Sequence, residues 1–325
     1  MSGSIRISFS ECSARERIAR VFDEHSFTEW LPPAARVMSP HLAQLGVPSA
    51  FDDGVAIGSA RLDGHTVFVA GQEGEFMGGG VGEVHGAKLV GLFKRALRDR
   101  PQAVVLLAES GGVRLHEANA GLIAVSEVMR ALLDVRNAGV PVIVLIGGAN
   151  GCFGGMGLVA RCADHVVMSD IGRLAMSGPE VIEASHGVEE FDSRDRALVW
   201  RTTGGKHRYL IGDCDQLIDD DVAAFRDAAI LGLSMGKPLD LAALEAEHAL
   251  LARRLQVADS VEGVEGVDSV DSVEGVEGVD CVEGVEGASD AVDLWRRMGI
   301  EQAAAVPDMS AAEVRALRRQ EEVTR

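Results

Sequence analysis

Two uninterrupted apolar runs, at 103–108 and 141–146, dominate the pattern of hydrophobic and polar positions along the chain. Such runs are typical of strands that are covered on both faces of a sheet. The segment 117–136 between them carries apolar side chains at helical spacing, which predicts a long helix. These positions are Leu122, Val125, Met129 and Leu132. The order strand, helix, strand predicts an α/β fold with parallel strands and crossover connections.

A β-hairpin is predicted before this unit. Asp63-Gly64 separates two strand-like runs at 54–62 and 65–70, and this dipeptide favours a tight two-residue turn. A glycine cluster at 77–82 and a helix at 84–97 follow. Beyond residue 146 the pattern predicts strands at 165–168 and 173–176, helices at 156–162, 179–184, 194–200, 220–234 and 239–255, and a basic loop at 201–208.

The two ends of the chain and one internal tract are expected to lie outside the main domain, which we place at 36–258. Residues 1–35 form a leading arm that includes a loop at 26–33. The segment 259–288 contains nine triplets of the form Val-Glu/Asp-Gly/Ser/Cys. A three-residue period is too short for a solenoid repeat and indicates a low-complexity acidic insert. A helical tail at 289–325 follows.

Composition excludes several function classes. The 325-residue chain has a net charge of −19, which argues against a nucleic-acid partner, although nine of its acids lie in the triplet tract. The five cysteines include no C-x-x-C pair, so no zinc ribbon or other metal site is expected. No signal-peptide segment occurs, and no apolar run approaches the ~18 residues of a membrane span. We therefore expect a cytoplasmic protein without a membrane partner.

Two glycine pairs follow the two apolar strands: Gly111-Gly112 the first, Gly154-Gly155 the second. The carboxyl ends of parallel strands share one edge of a sheet, where α/β proteins usually bind their ligands. Glycine lets the main chain approach a ligand closely, and the helix predicted at 156–162 begins with unpaired N–H groups. We therefore expect main-chain N–H groups to hold a developing negative charge on an oxygen atom. The alternative is that these glycines only turn the chain.

Other glycine and serine motifs are not matched. The stretch from Gly155 to Ala160 fits G-x-G-x-x-A, but seven residues separate the preceding strand from Gly154, too many for a dinucleotide-binding turn. Ser110 is not in a G-x-S-x-G turn, and no P-loop occurs. His85 and His116 lie beside the glycine loops and are expected to be packed or solvated rather than catalytic. Main-chain donors without a nucleophile favour chemistry through an enolate.

Three ordered motifs resemble those of biotin-dependent carboxyltransferases. They are Met77-Gly-Gly-Gly-Val-Gly82 with Gly86-Ala-Lys88, then Ser110-Gly-Gly-Val-Arg114-Leu-His-Glu117, then Gly151-Cys-Phe-Gly-Gly-Met156. The resemblance covers about residues 40–235 and implies a crotonase/ClpP-like β-β-α superhelix of the carboxyltransferase N-terminal-domain type. Within this superfamily the chain most resembles the beta subunits of biotin-independent malonate decarboxylases, through Trp30-Leu-Pro-Pro33 and the run that ends at Gly82. His116 departs from the glutamine often found there, and the triplet tract has no counterpart.

This resemblance implies a carbon–carbon lyase that converts a malonyl thioester on an acyl carrier protein to the acetyl thioester and CO2. Backbone N–H groups of Gly154 and Gly155, together with the Gly111-Gly112 loop or Val113, would hold the enolate oxygen. The implied substrate-binding residues are Gly79, Gly80, Lys88, Val113, Arg114, Phe153 and Met156. Lys88, Arg114 and the 206–208 stretch are candidates for binding phosphates, with solvated charge as the alternative. No cofactor is expected to bind directly, because a CoA-like prosthetic group of the carrier protein holds the substrate.

The implied partners are a homologous gamma subunit that completes a second pocket, an acyl-carrier-protein subunit and a carrier transferase subunit. Three other functions stay open from the sequence. One is the carboxyltransferase beta subunit of a biotin-dependent acyl-CoA carboxylase or decarboxylase. Another is a crotonase-type hydratase, which would need a pair of acidic catalysts near the second glycine loop. The third is a scaffold without catalytic activity.

Overall fold

The sheet is the framework of the molecule. The computed structural model describes residues 6–35, 38–46, 54–117, 119–259 and 290–324. Within these ranges seven strands form one sheet in chain order: β1 Thr28–Trp30, β2 Val55–Leu62, β3 His65–Gln72, β4 Ala103–Ala108, β5 Val142–Ile146, β6 His165–Ser169 and β7 Gln216–Ile218. The first three strands pair antiparallel, and β3 to β7 run parallel. The predicted hairpin and the parallel α/β arrangement are both confirmed.

Helices precede, connect and follow the strands. In chain order they are α1 Ala14–Val21, α2 Pro40–Gln44, α3 Glu83–Asp99, α4 Asn119–Asn137, α5 Gly155–Arg161, α6 Pro179–His186, α7 Arg196–Thr203, α8 Gly205–Leu210, α9 Val222–Gly232, α10 Leu241–Asp259, α11 Ala291–Arg297 and α12 Ala311–Thr324. Among the described residues, none of these helices combines the length and the apolar character that crossing a membrane requires.

The central strands are buried on both faces, as their apolar runs predict. Every residue of β4 and β5 is buried. On one face α1 and α9 contribute to a common apolar cluster, in which the Phe9 and Phe225 rings stack with centroids 3.9 Å apart. On the other face α3 packs against β2, β3 and α4. Because a fully covered strand needs no polar alternation, the two runs locate the middle of the sheet.

Three local predictions are wrong. The segment 26–33 is not only a loop, because Thr28–Trp30 pairs with β2 as an edge strand and Trp30 packs edge-on against Phe68 at 4.8 Å. The segment 173–176 forms isolated bridges to Cys152 and Gly204 instead of a strand. The basic stretch 201–208 is helical at both ends, in α7 and α8. Each pairing depends on a distant partner, which local pattern does not reveal.

Contacts divide the chain into two compact units, Met1–Leu239 with Pro307–Arg325, and Asp240–Val306. The first unit holds the sheet, the glycine loops, the predicted leading arm and α12. The arm contributes Phe9, Ile18 and Val21 to the apolar core. The second unit holds α10 and α11. The predicted triplet tract at 261–287 lies outside the described residues.

Candidate active site

The two predicted glycine loops meet directly beyond the carboxyl ends of β4 and β5. Ser110 N donates to Gly151 O at 2.8 Å, and Phe153 N donates to Ser110 O at 2.8 Å, so the loops stay paired after the strands end. Gly112 has φ 126° and Gly154 has φ 59°, and a Cβ on Gly154 would lie 2.9 Å from Gly112 Cα. Only glycine permits this approach, because an L-residue would be strained and would collide with the facing loop.

Several main-chain N–H groups remain open where the loops meet. Within the described part of the chain, the N–H groups of Val113, Gly154, Gly155 and Met156 donate no hydrogen bond. The Val113 nitrogen is 3.9 Å from the position that a Cβ on Gly154 would take, so donors from both loops lie side by side. Neighbouring main-chain donors without a partner in the protein are the kind of group that stabilises an oxyanion.

The other two predicted donors are occupied. Gly111 N donates to Gly78 O at 2.8 Å, and Gly112 N donates to Ser110 Oγ at 3.1 Å. Their role in the structure is therefore to shape the first loop and to let it approach Gly154. The donor that this loop leaves open belongs to the next residue, Val113.

No activated nucleophile stands beside these donors among the described residues. Ser110 is fully buried, and its hydroxyl lies 3.2 Å from Gly112 O. Burial raises the pKa of the Cys152 thiol to about 12, so the thiolate that would attack a carbonyl does not form near neutral pH. His85 is fully buried and lies within hydrogen-bond distance of Gln72, at 3.0 Å. The described residues also include no cluster of His, Cys, Asp and Glu that could hold a metal ion.

The predicted substrate-binding glycines Gly79 and Gly80 lie behind the first loop. A Cβ on Gly79 would come 2.1 Å from Glu109 O, and one on Gly80 would come 2.9 Å from Arg114 Cγ. Val81 N donates to Gly112 O at 2.9 Å in the same contact. The 77–82 cluster therefore supports the 109–114 loop by close main-chain packing.

The basic residues predicted to bind phosphates are turned toward the protein. Lys88 is buried, and its Nζ donates to Val55 O. The buried Arg114 guanidinium lies 3.5 Å from Glu117 and over the Phe76 ring at 5.1 Å. These contacts give both side chains a role inside the protein instead of an open phosphate site.

The 206–208 stretch is likewise engaged within the first unit. Lys206 Nζ donates to Pro307 O at 2.6 Å, and Arg208 pairs with Asp213 at 2.9 Å. His207 is buried. The structure thus corrects the expectation of an open basic loop, because a helix there directs these side chains toward neighbouring segments.

Phe153 and Met156 flank the open donors and are both buried. The guanidinium of Arg173 lies over the rings of Phe153, at 5.5 Å, and Trp200, at 4.7 Å, and burial lowers its pKa. Sequence reasoning missed Arg173, because it assigned the residue to a short strand. The only available signal was a positive charge within an otherwise apolar stretch.

Exposed apolar side chains lie on the segments next to the glycine junction, and we call them the apolar rim. Leu115 is 89% exposed, and Leu122 and Ile123 at the start of α4 are 57% and 62% exposed. Leu158 on α5 and Met176 are also exposed. Met176 lies near α5, because the carbonyl oxygen of the preceding residue, Ala175, would be 2.5 Å from a Cβ on Gly157. A group of exposed apolar side chains around a site is typical of a surface that another protein covers.

Comparison with known proteins identifies the family of the chain. Residues 10–228 match the carboxyl transferase domain family. Malonyl-S-ACP:biotin-protein carboxyltransferase of Malonomonas rubra is 47% identical over 247 residues, which cover 72% of this chain and 77% of that protein.

Two solved Pseudomonas structures have the same fold. The crystal structure of a malonate decarboxylase hetero-tetramer in complex with malonate contains a chain that matches with a TM-score of 0.75 and 35% identity, over 90% of this chain and 98% of that one. A malonate decarboxylase hetero-dimer gives a TM-score of 0.62 and 35% identity, over 77% and 97%. The implied crotonase-like fold is thereby confirmed. The chain belongs to the carboxyl transferase domain family, and within it to the carboxyltransferases of the malonate decarboxylase type.

Proposed function

We propose that this chain is the beta subunit of a biotin-independent malonate decarboxylase, in which it decarboxylates malonyl-S-acyl carrier protein to the acetyl thioester and CO2. One observation carries the proposal. Open N–H groups of Val113 and Gly155 lie at the junction of two different strand-to-helix loops, and among the described residues no activated nucleophile stands beside them. That arrangement suits a reaction in which charge develops on a carbonyl oxygen without covalent attack on the substrate.

The reaction breaks one carbon–carbon bond, and the site must stabilise the negative charge of the enolate that results. Cleavage between the α-carbon and the carboxylate releases CO2 and leaves two electrons on the thioester, as an enolate. The enolate oxygen takes hydrogen bonds from Val113 N–H and Gly155 N–H, and a proton then converts the α-carbon to the methyl group of the acetyl thioester. A donor of this kind stabilises the transition state by about 3 kcal/mol in other enzymes, so two donors account for a large part of the acceleration.

The substrate is presented on the CoA-like prosthetic group of an acyl-carrier-protein subunit, and this chain itself binds no cofactor. The name of the Malonomonas rubra relative, which specifies a malonyl-S-ACP substrate, supports this assignment. A carrier transferase subunit loads the malonyl group.

A homologous gamma subunit covers the apolar rim and completes the pocket for the departing carboxylate. The hetero-dimeric and hetero-tetrameric assemblies of the Pseudomonas relatives support a heteromer. Covering Leu115, Leu122 and Ile123 removes water from the site, which strengthens the hydrogen bonds to the enolate.

Replacement of Gly155 tests the site. A Cβ at this position would lie 2.6 Å from Val125 Cγ1, so Gly155→Val forces the start of α5 away from Val113. With the partner subunits present, CO2 release from the malonyl carrier should fall about 100-fold, the loss expected for one misplaced donor. Gly91→Ala is the matched control, because Gly91 lies on α3 with nothing within 4 Å of a new Cβ. Unchanged release by Gly155→Val would refute the oxyanion assignment.

A second candidate is carboxyl transfer to a biotin-carrying partner, which the name of the Malonomonas rubra relative favours. The same enolate forms in both reactions, so the site alone does not separate them. Avidin does. Turnover by the assembled complex should be insensitive to avidin if CO2 is released directly, and avidin inhibition would assign the chain to the biotin route instead.

A further inference from the structure

A buried ion pair lies beneath the glycine junction and takes no part in the proposed chemistry. Arg17 of α1 and Glu109, the residue after β4, are 2% and 5% exposed, and Arg17 Nη1 donates to Glu109 Oε2. Two charges withdrawn from water usually contribute little net stability compared with a well-packed apolar pair. A role in geometry therefore explains the presence of this pair better than a gain in stability does.

Glu109 connects both glycine loops. Its main chain begins the first loop, and its Oε1 accepts a hydrogen bond at 3.0 Å from Asn150 N, which belongs to the second loop. Close packing fixes the carboxylate, because a Cβ on Gly74 would lie 2.5 Å from Glu109 Oε1 and one on Gly148 would lie 2.3 Å from Glu109 Cδ. One side chain thus sets the spacing between the two loops.

Arg17 holds that carboxylate from the leading arm. Its Nε donates to Phe9 O at 2.8 Å, its Nη2 donates to Ser10 O at 3.2 Å, and its guanidinium lies over the Phe9 ring at 4.8 Å. Contacts on three sides fix the orientation of the planar guanidinium, which thereby faces the Glu109 carboxylate. The arm is therefore linked through two side chains to the main chain that carries the open donors.

We propose that Arg17 and Glu109 are positioning residues that set the separation between the Val113 and Gly155 N–H groups, through the Glu109 hydrogen bond to Asn150. This inference rests on the proposed function, because it concerns the same donors. A misplacement of about 1 Å in an active site can cost about 100-fold in rate. The pair controls kcat, since these donors act on the transition state, and leaves KM for the carrier substrate unchanged.

Two double variants separate geometry from charge. Arg17→Met with Glu109→Gln removes both charges but keeps a carbonyl acceptor for Asn150 N–H. Arg17→Met with Glu109→Met removes the charges and the acceptor together. In the assembled complex, the Gln double variant should lose part of kcat, because Arg17 no longer holds the side chain, and the Met double variant should lose more, about 10-fold to 100-fold, with KM unchanged.

The matched control is the partly buried pair Arg136 and Asp164, in which Asp164 Oδ2 likewise accepts from a main-chain donor, Val142 N, at 2.8 Å. This pair lies beside the first residues of β5 and β6, at the edge of the sheet opposite the glycine loops. Arg136→Met with Asp164→Asn should change the melting temperature and leave kcat of the folded complex unchanged. Arg17→Lys keeps the charge but not the three-sided contact, and should lower kcat even if the Met double variant fails to fold.

The outcomes distinguish this inference from the proposed function. Suppose that Gly155→Val is inactive in the same assay. Wild-type kcat in Arg17→Lys, and also in the Met double variant if that variant folds, would then overturn the positioning role. An active Gly155→Val would instead remove the oxyanion site itself. Equal loss of kcat in the Gln and Met double variants would also overturn the inference, because it would assign the effect to charge and not to the Asn150 hydrogen bond.

Discussion

Replacement of Gly154 by alanine is the most direct perturbation of the donor geometry. Gly154 has φ 59° and ψ −137°, and a Cβ there would approach Gly112 Cα to 2.9 Å. Gly154→Ala therefore meets two obstacles, a backbone conformation that L-residues rarely adopt and a collision with the first glycine loop. The first is relieved by a change of the backbone torsions at residue 154 and the second by moving the two loops apart, and both changes shift the Gly155 N–H relative to that of Val113.

The expected losses of stability and of kcat can be estimated from the backbone strain and from the displaced donor. A residue held in such a sparsely populated backbone region costs about 1–3 kcal/mol of stability. Loss of one oxyanion donor costs about 3 kcal/mol of transition-state stabilisation, which corresponds to a decrease of about 100-fold in kcat. KM should change little, because the ground-state carbonyl carries less charge than the enolate.

The assay is CO2 release by the assembled complex, together with a thermal melt of each variant. Gly139→Ala is the control, because Gly139 has φ 80° with nothing within 4 Å of a new Cβ and lies at the far end of β5. It also places an L-residue at positive φ, but without a collision. We expect both variants to be less stable and only Gly154→Ala to lose activity. Equal kcat in the two variants would refute the assignment.

Three further predictions follow from single features. Gly91→Ala should raise the free energy of unfolding by about 1 kcal/mol in a chemical melt, because an exposed glycine inside α3 is replaced by a better helix former in open space; a loss of stability would contradict this. Burial lowers the pKa of His165 below 6.5 despite Asp215 at 3.9 Å, so the unfolded state binds the proton first and stability should fall as the pH drops below about 6.5. His165→Phe should reduce that loss in melts at about pH 8 and about pH 5, and an unchanged pH dependence would exclude His165 as its source. Leu115→Glu with Ile123→Glu should weaken assembly with the proposed gamma subunit in size-exclusion chromatography, whereas Leu231→Glu, at another exposed apolar position on α9, should not; equal effects would argue against the apolar rim as the interface.

Much of the fold was predictable because its signals are local. The apolar runs of β4 and β5, the Asp63-Gly64 turn and the helical spacing in α4 each report on a few neighbouring residues. The edge strand β1 was missed, because its three residues pair with β2 more than 25 positions away. The same limit explains the bridges formed by the 173–176 segment.

The location of the candidate site was predictable from the sequence, but the identity of its open N–H groups was less predictable. Gly154 and Gly155 stand where the sequence suggested, and the open donor from the first loop is Val113 rather than Gly111 or Gly112. Which N–H groups stay open depends on acceptors supplied by other segments, here Gly78 O and the Ser110 hydroxyl. Residue type carries no information about that choice.

By itself, the sequence determined the parallel sheet, the two glycine loops at one edge of it and the carboxyltransferase motifs, because periodicity and glycine placement are properties of neighbouring positions. The tertiary structure alone decided that Lys88 and Arg114 are turned inward, and that Arg17 of the arm pairs with Glu109 beneath the loops. The physical reason is that hydrogen bonds and ion pairs between distant segments form only after the chain has folded. Their partners are chosen by proximity in space, which no local pattern of residues specifies.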